Sequence, residues 1–139
     1  RWACAPPAWM ATRARRASVR LVLDGLEADA AGDGAGATRT YQRALQVDPA
    51  NPYAYLALAR SYQEAGDPAR ALSFLDKADA LLSAQRARDP SVEALVVGLR
   101  GEALGDTGRE REAAALRARA RALAPAAWSD GRLDADELR

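Results

Sequence analysis

The sequence predicts an all-α fold, an α-solenoid of three stacked helix-turn-helix repeats, and three observations carry that prediction. Gly32-Asp33, Gly66-Asp67 and Gly108-Arg109 recur along the chain, the first two glycines 34 residues apart and the third 42 further on. Each glycine is followed at fixed offsets by two small residues, Ala37 and Ala44, Ala71 and Ala78, Ala113 and Ala120. Each is preceded seven residues earlier by another small residue, Gly25, Ala59 or Gly101. A helical pair stacked on copies of itself needs this pattern, because neighbouring helix axes approach to about 8–10 Å only where no large side chain intervenes.

The elements follow in order. Residues 1–17 form a basic N-terminal segment, a tether or the start of the first helix. The first repeat spans 18–51 and closes with Asp48-Pro49; Gly34 and Gly36 stand in the first turn of its second helix, each costing about 0.5–1 kcal/mol against Ala, so fraying is expected there. Pro49-Ala50-Asn51-Pro52 ends one helix and begins the next. Asn51 is placed to cap free N–H groups, and Pro52 falls where a missing N–H costs nothing. The second repeat spans 52–85, with Gly66 as a left-handed terminator and Asp67 as the next cap. Eight extra residues, placed at 86–93, separate it from a third repeat at 94–125. Ser83 to Arg88 are mostly good helix formers, which predicts that the second helix of repeat two runs about two turns long before a new helix starts at Pro90.

These residues resemble the tetratricopeptide repeat. The central copy carries the resemblance best, through Tyr55, Leu58, Ala59, Tyr62, Gly66, Asp67, Ala71, Phe74, Leu75 and Ala78. The first supplies Leu21, Gly25, Gly32, Asp33, Ala37, Tyr41, Ala44 and Pro49, and the third Val97, Gly101, Leu104, Gly108, Ala113, Ala120 and Pro125. Asp24 and Arg100 occupy places where the family has Leu, so the outer repeats are expected to pack more loosely or to turn those positions toward solvent. The resemblance implies a right-handed solenoid whose first helices line a concave groove, and it implies a non-catalytic adaptor that binds a peptide or amphipathic helix of another protein. A self-associating assembly subunit is the alternative.

By the same alignment the groove residues are Val19, Val22 and Leu26 in repeat one, Tyr53, Leu56, Arg60, Gln63 and Glu64 in repeat two, and Leu95, Gly98 and Glu102 in repeat three. Tyr53, Leu56, Arg60 and Glu64 share one helical face, and Tyr53 with Arg60 are the expected anchors, neither needed for the repeat core. The apolar members, Val19 and Val22 above all, fit ordinary helix packing equally well. Family members that grip a C-terminal carboxylate do so with Lys and Asn on these helices. Val22 and Leu26 stand at such positions here, which argues against that activity.

Composition narrows the chemistry. The chain of 139 residues has no histidine and one cysteine, Cys4, so Ser-His, Cys-His and imidazole-metal sites are unavailable to it, and neither a cofactor nor a metal site is expected. Net charge is +1, which argues against nucleic acid as a partner. The charge is uneven: residues 1–20 hold five Arg and no acid, while the remainder has 15 basic against 19 acidic groups, a net of −4. Asp130 to Glu137 carry the spacing of the second half of a calcium-binding EF-hand loop. Ala126 and Trp128 stand where its first carboxylates belong, so residues 126–139 read as a polar tail.

Cys4 bears on location. Ala3-Cys4-Ala5-Pro6-Pro7 resembles the lipidated cysteine and tether of a bacterial lipoprotein, although Arg1 replaces the usual Leu, and the chain beginning at Arg leads us to expect a missing upstream piece. Two readings stay open: a lipid anchor in a bacterial cell envelope, which is the membrane's only expected part, and an unpaired cysteine of a cytoplasmic protein. No apolar run approaches the roughly 20 residues of a membrane span.

Overall fold

The computed structural model describes residues 8–125, which form α1 (Ala8–Ala30), α2 (Gly34–Val47), α3 (Pro52–Glu64), α4 (Pro68–Ala84), α5 (Pro90–Asp106) and α6 (Glu110–Leu123). Residues 8–17, the basic segment of the sequence reading, are the first turns of α1. Cys4, the expected tail and Trp128 lie outside the described residues.

The helices pair as α1 with α2, α3 with α4, and α5 with α6, and successive pairs meet through α2–α3 and α4–α5. Two further contacts set the curvature. Helix α1 touches α3 and α3 touches α5, whereas α2, α4 and α6 do not touch one another among the described residues. Crowding on one side and spreading on the other bends the array toward α1, α3 and α5, making them its inner layer. The molecule is thus a helical-repeat solenoid.

The small residues lie where the sequence puts them. Ala37, Ala44, Ala59, Ala71, Ala78, Ala113 and Ala120 are all buried at helix crossings. Gly25 is the tightest case, since a Cβ there would stand 2.4 Å from the ring of the fully buried Tyr41. Leu58 is buried in the middle repeat, while its counterparts face outward: Asp24 is exposed, and Arg100 pairs with Asp76 on α4 at 2.8 Å.

Three of the inner turns close identically. Gly32, Gly66 and Gly108 have φ of 87°, 79° and 84°, and the next residue's N–H returns to the carbonyl five residues back: Asp33 to Ala28, Asp67 to Tyr62, Arg109 to Leu104. Only the left-handed region allows this closure, hence the period of glycine. Helix starts follow the expected capping. Asn51 accepts from the Tyr53 N–H at 3.0 Å with Pro52 behind it, and Asp67 accepts from Arg70 at 3.1 Å. At the glycine-rich start of α2, Asp33 accepts from the Gly36 N–H at 2.9 Å, so this first turn is capped like the others.

The eight extra residues depart from expectation. Helix α4 ends at Ala84 and does not continue through Arg88. Its stop is the same hydrogen-bonded closure, Ala87 N–H to Leu82 carbonyl at 3.0 Å, with Arg86 in the left-handed position at φ 54°. The chain must reverse there to deliver Asp89 as a cap for Val92 at 2.8 Å, and helix propensity yields to that geometry. Measured against the preceding period, α4 is three residues longer than α2, the connection one longer and α5 four longer than α3. The excess is spread over the repeat and does not form an insert at 86–93.

Candidate functional site

The inner face is built by α1, α3 and α5, and burial divides the sequence-predicted residues into two groups. Val22, Leu26, Leu56 and Leu95 are buried in the core. Gly98 is buried with them. This corrects the sequence reading: the inward apolar positions hold the stack together and present no surface to a partner, because three helices meeting on the inside of a bend bury their shared stripe. Val19 and Tyr53 are half-buried, as are Gln63 and Glu102, and Glu64 is exposed.

Arg60 also differs from expectation. It retains 8% of its exposure and is held by two carboxylates, Asp29 Oδ2 at 3.0 Å from Nη1 and Glu64 Oε1 at 3.0 Å from Nη2. Asp29 also accepts from the Tyr41 hydroxyl at 2.8 Å. Burial, then the Asp29 hydrogen bond, pushes the Tyr41 phenol well above its ordinary range, so it stays a neutral donor. Arg60 is therefore a structural tie between α1 and α3.

Further along the face, Gln63, Glu102, Gly105, Asp106, Glu110 and Arg117 line a cleft between the end of α3, the end of α5 and the start of α6. Gln63 donates from Nε2 to Asp106 Oδ2. Arg117 pairs with Glu110 at 2.5 Å and reaches the Ala113 carbonyl at 3.3 Å. Glu102 is pushed above the usual carboxylate range by desolvation, with Arg117 acting against the shift and Asp106 and Glu64 adding to it.

Asp29, Asp106, Glu110 and Arg117 are inner-face residues that the sequence reading did not single out. Two of them carried a signal: Asp29 stands 34 residues before Gln63, and Asp106 stands 42 after Glu64, the offsets of the glycine period itself. Glu110 and Arg117 reach the face from α6, which nothing in the repeat register announces.

Sequence reading also missed a buried polar chain behind the face. Asn51 Nδ2 donates to Ser18 Oγ at 2.9 Å and Ser18 donates to the Ala44 carbonyl at 2.7 Å. Both side chains are fully buried, so the chain locks α1 to the α2–α3 connection. On another side of the middle repeat, Tyr62 stacks on Phe74 at 5.2 Å, and Arg70 and Lys77 lie over the Tyr62 and Phe74 rings at 5.4 and 5.2 Å.

No group of three or more His, Cys, Asp or Glu side chains among the described residues is arranged to hold a metal ion, and none of the described helices is long and apolar enough to cross a membrane.

Residues 30–81 match the model of the tetratricopeptide repeat family, and the six-helix solenoid around that segment is similar to the stacked helical pairs of tetratricopeptide repeat proteins. Their fold is one of protein–protein interaction. The solved N-terminal domain of stress-induced protein-1 (STI-1) from C. elegans has the same fold, with a TM-score of 0.66 and 21% identity over 90% of this chain and 91% of that one. No curated protein matches the sequence significantly.

Proposed function

We propose that this chain is a non-catalytic adaptor that holds a peptide or amphipathic helix of another protein along the inner face of α1, α3 and α5. The observation that supports this most is the contact pattern: the inner helices lie side by side while the outer ones do not touch, so the inner layer offers one continuous concave face. Tyr53, Gln63, Glu64 and Glu102 are its accessible members, an aromatic anchor beside polar groups that set register. A photo-crosslinking residue placed at 53 or 63 should capture the partner in the source cells, and one placed at the exposed Arg43 on α2 should not. Capture confined to position 43 would overturn the reading.

A second reading, self-association, has its own observation. Among the described residues helix α6 packs against α5 alone and leaves Ala114, Ala115, Ala118 and Ala122 exposed, small residues of the kind that seat a further helix. Sedimentation equilibrium separates the two, since an Ala118→Glu variant should dissolve any dimer built on α6 and leave inner-face crosslinks intact. The bacterial-envelope location proposed from Cys4 is tested apart from both, by intact-mass measurement of lipid on that cysteine.

A further inference from the structure

We infer that the segment taken by the inner face is cationic, an Arg- or Lys-bearing stretch whose charge enters the cleft between α3, α5 and α6. This rests on the adaptor reading and names the chemistry of its partner. The cleft holds three carboxylates, Glu102, Asp106 and Glu110, and one guanidinium, Arg117, already engaged by Glu110 and by the Ala113 carbonyl. Neither Glu102 nor Asp106 has a cation at ion-pair distance among the described residues. The bond from Gln63 to Asp106 fixes which end of that amide is oxygen, and the oxygen is buried without a donor. Two carboxylates therefore lack what a guanidinium or ammonium supplies, and the buried amide oxygen behind them lacks a donor.

Three further observations agree. Desolvation chiefly disfavours the charge on Glu102, with Arg117 acting against it and Asp106 and Glu64 adding to it, so a guest cation beside Glu102 would favour its charged form. Gly105 leaves the cleft open, since a Cβ at that place would stand 3.4 Å from Glu110 Oε2 and 3.5 Å from Arg117 Nη2. The carboxylates do not converge into a metal-binding group, which favours a cation that spreads several donors over an ordinary point ion. Among the described residues at the α3–α5 end of the face, Glu64, Glu102, Asp106 and Glu110 stand with Arg60 and Arg117, four negative charges against two positive, a net of −2.

The test titrates the full chain, by fluorescence anisotropy, with a short fluorescein-labelled Ala-based helical peptide carrying Arg at i and i+4, and with its Arg→Glu counterpart. The Arg peptide should bind, more weakly as salt rises, and the Glu peptide should not. The double variant Glu102→Gln, Asp106→Asn should lose about tenfold in affinity and flatten the salt dependence, with its melting temperature unchanged or raised. A second double variant, Asp76→Asn with Glu112→Gln, removes the same net charge from exposed positions of α4 and α6 and should bind like the wild type. Gly105→Ala should narrow the cleft and weaken binding while keeping the helix.

Equal affinity for the two peptides, or equal losses in the two double variants, would overturn the inference. A partner crosslinked at position 53 or 63 whose capture ignores Glu102→Gln, Asp106→Asn would overturn it and leave the adaptor reading standing. Absence of inner-face crosslinks alongside carboxylate-dependent binding of the Arg peptide would sink the adaptor reading and leave the cleft's preference for cations supported. A wild-type dimer dissolved by the same double variant would place a second copy's Arg-bearing α1 in the cleft and overturn the external segment.

Discussion

Arg86 occupies a backbone position that glycine fills at the three inner turns. Its φ of 54° costs a residue with a Cβ about 1 kcal/mol, because the left-handed region brings Cβ against the following carbonyl. Arg86→Gly is therefore expected to stabilise the fold by about that amount, measurable as a higher urea midpoint with an unchanged slope. Gly25 is the opposite case. Alanine there would gain helix propensity but drive a methyl into the Tyr41 ring at 2.4 Å, so Gly25→Ala should destabilise by about 1–3 kcal/mol in the same assay. Arg60 belongs at this scale too. Its side chain and that of Asp29 retain 9% and 10% exposure, and Arg60→Ala would strand a buried carboxylate, a loss of about 3–5 kcal/mol. A change in melting temperature smaller than the measuring error would show that the pair is solvated.

The six helices are not equally secured. Among the described residues, helix α5 buries residues almost around its circumference, from Val92 through Leu104, whereas α6 buries only Ala113 and Ala120 and touches α5 alone. Helix α6 also starts without a side-chain cap, since Arg109 stands where Asp33 and Asp67 cap α2 and α4. Amide exchange should be fastest in α6 and slowest in α3 and α5, and Arg109→Asp should slow α6 exchange by supplying the missing acceptor. Uniform protection across α3 and α6 would contradict this. Ala71 tests the crossing of α3 and α4 in the same spirit. It is 1% exposed, so Ala71→Leu should cost several kcal/mol by forcing the two helices apart.

At the scale of the whole molecule, a repeat array is a sum of pair stabilities and neighbour interfaces, and groups that tie several pairs decide whether it melts as one unit. Arg15 is such a group. From the early turns of α1 it reaches Asp48 and the Ala50 carbonyl (2.8 Å) in the first inter-repeat connection and Gln85 (3.0 Å) at the end of α4. Gln85 closes the set by donating to the same Ala50 carbonyl at 2.6 Å. Arg15→Ala should therefore broaden the thermal transition as well as lower it, detectable as a calorimetric enthalpy exceeding the van't Hoff value. A transition that shifts without broadening would mean that the core alone couples the repeats.

The sequence by itself determined the class of fold, the number of repeats, the three glycine turns and the small residues at the crossings. All of these are local or periodic demands: a left-handed turn accepts Gly most cheaply, and a close crossing admits only Ala or Gly. The repeat register also carried Asp29 and Asp106, readable at 34 and 42 residues from Gln63 and Glu64. What only the tertiary structure decided was which inward residues remain reachable. Val22, Leu56 and Leu95 look like groove residues on one helix and become core because curvature presses α1, α3 and α5 together. Arg60 looks like an anchor and becomes a tie because Asp29 arrives from another helix. The end of α4 at Ala84 was decided the same way, since chain reversal toward Asp89 overrode residues that favour helix. Burial, charge pairing and chain direction depend on neighbours distant in sequence, and no single helix's pattern contains them.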